Sequence, residues 1–366
     1  MALVVAVRIV CSLVATLANW RAAVKGDHTM KLILHPFELP LRHTFTISRE
    51  SIDTQPTLVV ELQDGGVSGY GEATANKYYG FTVESMSQRL EALRPQIEAA
   101  KWDRPEDLWQ QLQPALANDP FSLCALDQAA HDLWGKRLDK PVYELWGLTT
   151  EKIPASNYTI GIDTLPKMIE KLQEFPDWPI YKIKLGTPHD IEIVRGLRQV
   201  TSATFRVDAN CGWSPEQAVE YAPQLKELGV EFIEQPLPAD RMDDIRRIRD
   251  QVALPLMADE SCIVESDVRK CAGVFHGINI KLVKCGGLTP ARRMIAEARQ
   301  LGLKVMVGCM TESTVGISAI AQLLPLLDYV DMDGAVLLAK DVASGVRVER
   351  GICKYPNVPG NGVELL

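Results

Sequence analysis

The sequence predicts an α/β protein: a (β/α)8-type, TIM-like barrel preceded by a smaller α+β domain. Two observations support this prediction. From residue 155 onward, short apolar runs typical of strands alternate with stretches of helical period at intervals near 25 residues. Before residue 150, strand patterns come first and helical patterns follow, which is the order typical of an α+β domain.

The α+β domain is assigned to residues 30–150. Strands are predicted at 31–37, 57–62 and 67–72, with a hairpin turn at Asp64-Gly65-Gly66, and helices at 83–99, 105–116 and 122–138. Within residues 1–29, the run from Ala2 to Leu17 is apolar but interrupted by Arg8, and it is too short and broken for a convincing membrane span. We interpret them as an extension in front of the folded protein, with an export signal as the alternative.

The barrel is assigned to residues 151–340. Its strands are predicted at 158–160, 181–185, 205–208, 232–234, 256–259, 278–282, 304–308 and 329–333. A doubly wound open sheet is the structural rival, but the chain has no Gly-x-Gly-x-x-Gly motif. Acids and lysines on successive strands favour a closed barrel, whose active site lies at the C-terminal strand ends. Residues 341–366 are expected to pack back on the first domain.

Composition argues against several classes of protein. The 366 residues carry a net charge of −8 without a long basic cluster, so nucleic acid is not an expected partner. The eight cysteines include no Cys-x-x-Cys pair, which favours buried, reduced thiols over a zinc site or a disulfide framework. We expect a cytoplasmic homo-oligomer that acts on a small molecule and has no membrane partner.

Three carboxylates end successive strands in the middle of the barrel. Asp208, Glu234 and Asp259 are 26 and 25 residues apart, which leaves room for one helix and one strand in each interval. Parallel strands bring their C-terminal ends to one face of the barrel, so the three acids should converge. Converging carboxylates repel each other without a cation, and a hard divalent ion prefers oxygen ligands. We therefore predict one Mg²⁺ per subunit.

Three lysines are predicted inside the same barrel. Strand alternation places Lys182 and Lys184 on one face, ~6.5 Å apart, where a barrel normally carries Val, Ile or Leu. Each makes protonation of the other harder, so we expect one of their pKa values to fall toward the working pH. Lys281 on the sixth strand should face Lys184 across the barrel. The alternative is that the lysines only neutralise the carboxylates.

This arrangement suits proton abstraction next to a carboxylate. Such a proton is weakly acidic, and the enolate left behind needs a metal and nearby hydrogen-bond donors. One lysine would remove the proton and the opposite lysine would return one to the other face, which inverts the stereocentre. A non-catalytic metal-binding barrel is the alternative outside the enzymes.

The motifs that carry these residues resemble the enolase superfamily, and its muconate-cycloisomerase-like subgroup in particular. They are Lys182-Ile183-Lys184, Val207-Asp208-Ala209-Asn210, Ile233-Glu234-Gln235-Pro236, Ala258-Asp259-Glu260-Ser261, and Asn279-Ile280-Lys281 followed by Gly286-Gly287-Leu288-Thr289.

The resemblance implies that the three acids bind Mg²⁺, that Lys184 and Lys281 are the acid/base pair, and that the first domain is a capping domain over the substrate. Lys182 is then expected to contact the substrate, and Asn210 and Glu260 to support the metal ligands. Lys284 is expected to begin a loop and is the weaker candidate for the acid/base role.

The last barrel strand ends in Asp331-Met332-Asp333. Its two carboxylates share a face and could capture a substrate ammonium, or they could be a solvated strand end or ion-pair partners. The motif resembles the Asp-x-Asp of dipeptide epimerases, which holds the dipeptide α-ammonium. The resemblance implies an Mg²⁺-dependent epimerase of L-Ala-D/L-Xxx dipeptides. The dipeptide carboxylate would reach Mg²⁺, and the C-terminal α-carbon would lie between the lysines.

The side chain of the second substrate residue is harder to predict. Residues 45–49 resemble a cap loop that contributes an arginine in Ala-Glu epimerases, so Arg49 could bind a glutamate side chain or lie on the surface. Glu312 could point into the same pocket and discourage an acidic substrate. Within the subgroup, the alternatives are cycloisomerase, o-succinylbenzoate synthase and N-acylamino-acid racemase. Their substrates carry no free ammonium, so Asp331 and Asp333 argue against them.

Overall fold

The computed structural model describes residues 30–48 and 50–366. The (β/α)8-type barrel with an α+β domain in front of it is confirmed. The expectations for residues 1–29 and for Arg49 lie outside the described residues. In the described part of the chain, no helix has the length and apolar character needed to cross a membrane.

The first domain is built on an antiparallel sheet with the strand order β1-β2-β3. The strands are β1 (Lys31–Thr46), β2 (Ser51–Asp64) and β3 (Val67–Thr74). The hairpin between β2 and β3 turns at Gly65 and Gly66, whose φ angles of 59° and 81° lie in the left-handed region that glycine tolerates best. The predicted hairpin therefore forms at the predicted turn.

β1 is longer than its apolar pattern indicates. After an irregularity between Pro40 and Phe45, the strand resumes and Phe45 pairs with Ile52. Phe45 and Thr46, which were expected to belong to a cap loop, therefore lie in β1. Their backbone pairs with β2 although the side chains of this stretch do not alternate between apolar and polar. β1 ends at Thr46, and β2 begins at Ser51.

The helices of the first domain cover the sheet. They are α1 (Val83–Ala99), α2 (Pro105–Leu112), α3 (Pro120–Arg137) and α4 (Val142–Leu145). Asp119 caps α3 by accepting a hydrogen bond from the backbone N–H of Ser122. This buried helix crosses β3 so closely that a Cβ at Gly71 would lie 2.1 Å from the carbonyl oxygen of Ala125. Glycine at this position is what allows the close approach.

The barrel sheet has eight parallel strands in sequence order. The strands are β4 (Tyr158–Ile160), β5 (Ile180–Lys184), β6 (Thr204–Asp208), β7 (Val230–Glu234), β8 (Leu256–Ala258), β9 (Gly277–Lys281), β10 (Lys304–Gly308) and β11 (Tyr329–Asp331). The sheet closes through an isolated parallel bridge between Ser156 and Val330. The hydroxyl of Ser156 also accepts a hydrogen bond of 3.0 Å from the backbone N–H of Met332.

The helices of the barrel lie between its strands along the chain. They are α5 (Leu165–Glu174), α6 (Asp190–Arg198), α7 (Pro215–Glu227), α8 (Met242–Ile248), α9 (Glu265–Cys271), α10 (Leu282–Cys285), α11 (Leu288–Gln300) and α12 (Thr314–Ala321). A helical turn, α10, follows β9 directly, where the sequence predicts a loop. It ends at Gly286 and Gly287, whose φ angles are 93° and 115°.

Large side chains fill the barrel one layer below the strand ends. Phe232, Met257 and Met306 form a buried apolar cluster against Tyr329. The guanidinium of Arg206 lies 5.2 Å from the ring centre of Phe232, and it donates a hydrogen bond of 3.0 Å to a backbone carbonyl on β11. The interior is therefore closed at this depth, and the strand ends above it are left to form a site.

The C-terminal segment contacts both domains. It contains the short strands β12 (Ala343–Ser344), β13 (Arg347–Glu349), β14 (Ile352–Lys354) and β15 (Glu364–Leu365). The backbone N–H of Asn361 donates to Asp132 on α3, and Lys136 of the same helix donates to the carbonyl of Val363. Tyr355 donates to the carbonyl of Ala321 at the end of α12. The segment therefore packs on α3 of the first domain, where it was expected to pack, and it also contacts the barrel helix α12.

Candidate active site

The three predicted acids converge at the C-terminal ends of neighbouring strands. Asp208 and Glu234 are the last residues of β6 and β7, and Asp259 follows β8. Their side chains are at most 2% exposed, and one carboxylate oxygen from each lies within 4.8 Å of the others. Strand alternation, together with equal spacing of the strands, brings them to the same depth.

Lys182 occupies the centre of this cluster. Its ammonium nitrogen lies 3.2 Å from Asp208, 2.8 Å from Glu234 and 2.8 Å from Asp331. The side-chain amide of Asn279 donates a hydrogen bond of 2.7 Å to the other oxygen of Glu234. The cluster therefore combines buried carboxylates with a buried cation, as stable burial of charge requires.

Lys184 and Lys281 approach the acids from opposite sides of the barrel. Lys184 on β5 lies 2.7 Å from Asp208, and Lys281 on β9 lies 3.0 Å from Asp259. β5 and β9 are separated by three strands in either direction around the eight-stranded barrel. Both amines thus point inward and are separated by the acid cluster.

The expectation of a lowered lysine pKa does not hold for Lys182. Burial acts to lower this pKa, but the charges of Asp331, Glu234 and Asp208 outweigh burial, so the pKa is raised well above its usual value. The pKa of Lys281 is also raised, because the charge of Asp259 outweighs burial. The prediction weighed only effects that lower a lysine pKa, which are repulsion between the lysines and partial burial, whereas the fold places carboxylates around them that raise it.

The two acids at the end of β11, Asp331 and Asp333, are buried at the edge of the same cluster. Asp331 accepts a hydrogen bond of 2.7 Å from the amide of Asn157 in addition to its contact with Lys182. Asp333 accepts from the backbone N–H and the hydroxyl of Thr159. Burial and the neighbouring charge of Asp331 raise the pKa of Asp333 to about 8. Asp331 is thus an ion-pair partner, and the pair still holds negative charge that a further cation would stabilise.

A cavity of about 440 Å³ connects these groups. The barrel contributes to its lining Lys182, Lys184, Asn210, Asp259, Glu260, Lys281, Cys309, Asp331 and Asp333, among others. The first domain contributes Phe45, Ile47, Glu50, Ile52, Asn76, Lys77, Tyr78 and Tyr79, among others. A small molecule in this cavity would therefore contact both domains. Glu312, in contrast, is buried away from the lining and accepts a hydrogen bond from the backbone N–H of Met310.

Several supporting contacts surround the acids. The backbone N–H of Asn210 donates to Asp208 at 2.9 Å, and Asn210 has a positive φ of 44°. Glu260 lines the cavity beside Asp259. The side-chain oxygen of Gln235 accepts from the backbone N–H of Asp259 at 2.9 Å.

Three residues of the site, Asn157, Thr159 and Gln235, were given no role from the sequence, and Lys284 was weighed only as the weaker candidate for the acid/base role. Gln235 directly follows Glu234 and has a positive φ of 36°, and Lys284 is buried on α10 with its ammonium 2.6 Å from Asp259. The only local signal for Lys284 was its one-turn spacing from Lys281. Asn157 and Thr159 lie 174 residues from their acidic partners, and no local pattern relates them.

The residues present fit Mg²⁺. All three converging groups are carboxylates, which are the oxygen donors that this ion prefers. Octahedral coordination with bonds of ~2.1 Å places ligand oxygens roughly 3–4 Å apart, and the oxygens here lie within 4.8 Å of one another. Asp208, Glu234 and Asp259 would hold the ion after small adjustments of their side chains.

Comparisons with known proteins agree with this geometry. An L-Ala-D/L-amino acid epimerase of Flavobacterium johnsoniae is 58% identical over 337 residues, covering 92% of this chain and 100% of that protein. An L-Ala-D/L-Glu epimerase of Bacteroides thetaiotaomicron is 41% identical over 91% of this chain and 88% of that protein. The crystal structure of a dipeptide epimerase from Cytophaga hutchinsonii, complexed with Mg and D-Ala-L-Val, matches with a TM-score of 0.86. That match has 26% identity and covers 92% of this chain and 96% of the other.

Two family models cover most of the chain. Residues 30–147 match the mandelate racemase / muconate lactonizing enzyme N-terminal domain, and residues 167–366 match the enolase C-terminal domain-like model. The first match covers the α+β domain and the second covers most of the barrel and the C-terminal segment. The chain therefore belongs to the mandelate racemase and muconate lactonizing enzyme family of the enolase superfamily.

Proposed function

We propose that this protein is an Mg²⁺-dependent dipeptide epimerase that inverts the C-terminal α-carbon of L-Ala-D/L-Xxx dipeptides. The observation that carries the proposal is the placement of Lys184 and Lys281 on opposite sides of one carboxylate cluster. Relatives named L-Ala-D/L-amino acid and L-Ala-D/L-Glu epimerases support the same reaction and substrate class.

The cavity has complementary groups for both ends of a dipeptide. Asp331 and Asp333 offer a buried negative pair for the α-ammonium. The acid cluster lies on the other side of Lys182, which contacts both Asp331 and Glu234. Mg²⁺, when bound to the three acids, would supply the charge that stabilises the substrate carboxylate as negative charge develops on it.

The two lysines then account for inversion. A neutral amine on one side of the α-carbon removes its proton, and an ammonium on the other side donates a proton to the opposite face. The C–H bond that breaks and the C–H bond that forms lie on opposite faces, so the configuration inverts and no proton is gained or lost overall. The reverse reaction exchanges the roles of Lys184 and Lys281. Lys182, held by three carboxylates, stays charged and supports the negative charge of the enolate.

The other reactions of the subgroup fit this site less well. Cycloisomerase, o-succinylbenzoate synthase and N-acylamino-acid racemase substrates carry no ammonium to pair with Asp331 and Asp333. A non-catalytic metal-binding barrel would not require two opposed lysines. One Mg²⁺ per subunit, a homo-oligomeric assembly and a cytoplasmic location complete the proposal; metal analysis, gel filtration and cell fractionation test them.

Incubation of an L-Ala-L-Xxx library with Mg²⁺ in D₂O tests the proposed reaction. We expect dipeptides to gain one mass unit at the second α-carbon and to approach an equal mixture of L,L and L,D forms. Absence of exchange across the library, combined with turnover of an N-acylamino acid or a muconate, would favour the alternatives. The same screen identifies the preferred second residue.

A further inference from the structure

Lys284 is buried next to a proposed metal ligand and has no role in the reaction described above. It lies on α10, one turn beyond Lys281, and is 1% exposed. Its ammonium nitrogen lies 2.6 Å from Oδ1 of Asp259 and 2.6 Å from the backbone carbonyl oxygen of the same residue. It also donates to the carbonyl of Cys262 at 3.1 Å and lies 3.4 Å from the carbonyl of Asn279.

These contacts give the two oxygens of Asp259 separate partners. Oδ1 accepts from Lys284, whereas Oδ2 lies 3.0 Å from Lys281. The backbone N–H of Asp259 is held by Gln235 and its carbonyl by Lys284. The residue is therefore fixed at three points, and Oδ2 is the oxygen left to face the cluster.

We propose that Lys284 is a positioning residue for the metal site: it orients Asp259 so that Oδ2 alone faces the ion, and it ties the segment after β8 to the end of β9. This inference rests on the proposed Mg²⁺ site. Lys281 must leave Asp259 when it acts on the substrate. Lys284 makes no contact with the reacting atoms, so it can keep this carboxylate in place throughout the cycle.

Removal of Lys284 should change metal affinity in opposite directions, depending on whether the residue is a simple counter-charge or a positioning residue. If Lys284 only added positive charge near the acids, its removal would strengthen Mg²⁺ binding by reducing repulsion. If it positions Asp259, its removal takes the donor from Oδ1 of Asp259 and from the carbonyl of Cys262, leaves the carbonyl of Asp259 with the backbone N–H of Cys262 alone, and lets the ligand move. Loss of a group that orients a metal ligand typically costs about 10–100-fold in metal affinity.

Lys284→Met keeps the length of the side chain and removes its charge and donors. The matched control is Lys136→Met, because Lys136 is also a buried ammonium; it is bound to the carboxylates of Asp132 and Glu364 and to the carbonyls of Ser68 and Val363. It lies on α3, away from the barrel cavity. Mg²⁺ affinity is measured by titration calorimetry and Mn²⁺ affinity by electron paramagnetic resonance, both without substrate.

We expect Lys284→Met to weaken Mg²⁺ and Mn²⁺ binding at least tenfold, and Lys136→Met to leave both affinities unchanged although it lowers the melting temperature. Unchanged or tighter metal binding by Lys284→Met would overturn the inference. Lys284→Gln, which keeps donors without charge, should give an intermediate affinity. If neither Lys284 variant folds where Lys136→Met does, the residue is structural and the inference fails. If the unaltered protein binds no Mg²⁺, the proposed function fails and this inference fails with it.

Discussion

Asp333→Asn takes from the proposed ammonium site the negative charge that Asp333 would carry when the ammonium is bound, and it preserves the shape of the site. Asp333 accepts hydrogen bonds from the backbone N–H and the hydroxyl of Thr159. The oxygen of asparagine can keep the first of these bonds, and its amide can donate to the hydroxyl. The substitution should therefore leave the fold intact and act on the electrostatics of the site.

The magnitude follows from the burial of this carboxylate, which is 1% exposed. A charge pair at ~4 Å with an effective dielectric constant near 20 is worth roughly 4 kcal/mol, and a hydrogen bond to a charged group contributes about 1.5–3 kcal/mol. We expect kcat/KM for L-Ala-L-Xxx to fall about 100-fold, equivalent to ~2.7 kcal/mol. The corresponding propionyl-L-Xxx compound lacks the ammonium, so its slow α-proton exchange should change little.

The same variant makes a pH prediction. Because burial and Asp331 raise the pKa of Asp333 to about 8, this group is mostly protonated in the free enzyme at pH 6. Binding of an ammonium favours the carboxylate form, so binding releases a proton and KM for the dipeptide should fall by up to about tenfold per unit as pH rises from 6 to 7.5. Asp333→Asn should abolish this dependence.

The assay is stopped-time chromatography of the two diastereomers, with Mg²⁺ affinity measured in parallel. An equal loss for the dipeptide and the propionyl compound would refute the reasoning. So would a parallel loss of Mg²⁺ affinity, because either result would show that the acid acts on the metal or the fold rather than on the substrate ammonium.

Two further predictions concern stability. The pKa of buried Glu312 is raised to about 8 by burial and by Glu72, so the folded state binds more protons than the unfolded state and stability is lost as pH rises from ~4.5 to 8. In urea titrations at pH 6 and 8, Glu312→Gln should reduce the difference between the two free energies of unfolding. An unchanged difference would contradict the raised pKa of Glu312 as its cause. Gly71→Ala places a Cβ 2.1 Å from a carbonyl oxygen of α3 and should lower the free energy of unfolding by about 1–3 kcal/mol. An unchanged free energy of unfolding in the same titrations would show that α3 can move away from the added methyl group.

The periodicity of the sequence was enough to predict the architecture and the convergence of the three acids. Asp208 and Glu234 end their strands and Asp259 directly follows its strand, so equal spacing along the chain becomes equal depth in the barrel. Lys184 and Lys281 follow from the same argument, because strand alternation decides which side chains face the interior. Long strands in which apolar and polar side chains do not alternate were harder to predict, as the extension of β1 through Phe45 shows.

The partners of the acids were not predictable in this way. Asn157 and Thr159 precede Asp331 and Asp333 by 174 residues and meet them only because the barrel closes between β4 and β11. Lys284 was expected in a loop, and its contacts depend on a helical turn that follows β9 without a break. The direction of the Lys182 pKa shift required the complete set of neighbouring charges. Contacts between distant elements decide these features.

The central claim is that Lys184 and Lys281 act on opposite faces of one α-carbon. The most direct test follows α-proton exchange in D₂O by NMR, with the Lys184→Ala and Lys281→Ala variants and with the L,L and L,D dipeptides supplied separately. Neither variant should epimerise its substrate. Each should still exchange the α-proton of one diastereomer with retention of configuration, and the two variants should act on opposite diastereomers. Exchange of the same diastereomer by both variants, or near-normal epimerisation by either, would contradict the account.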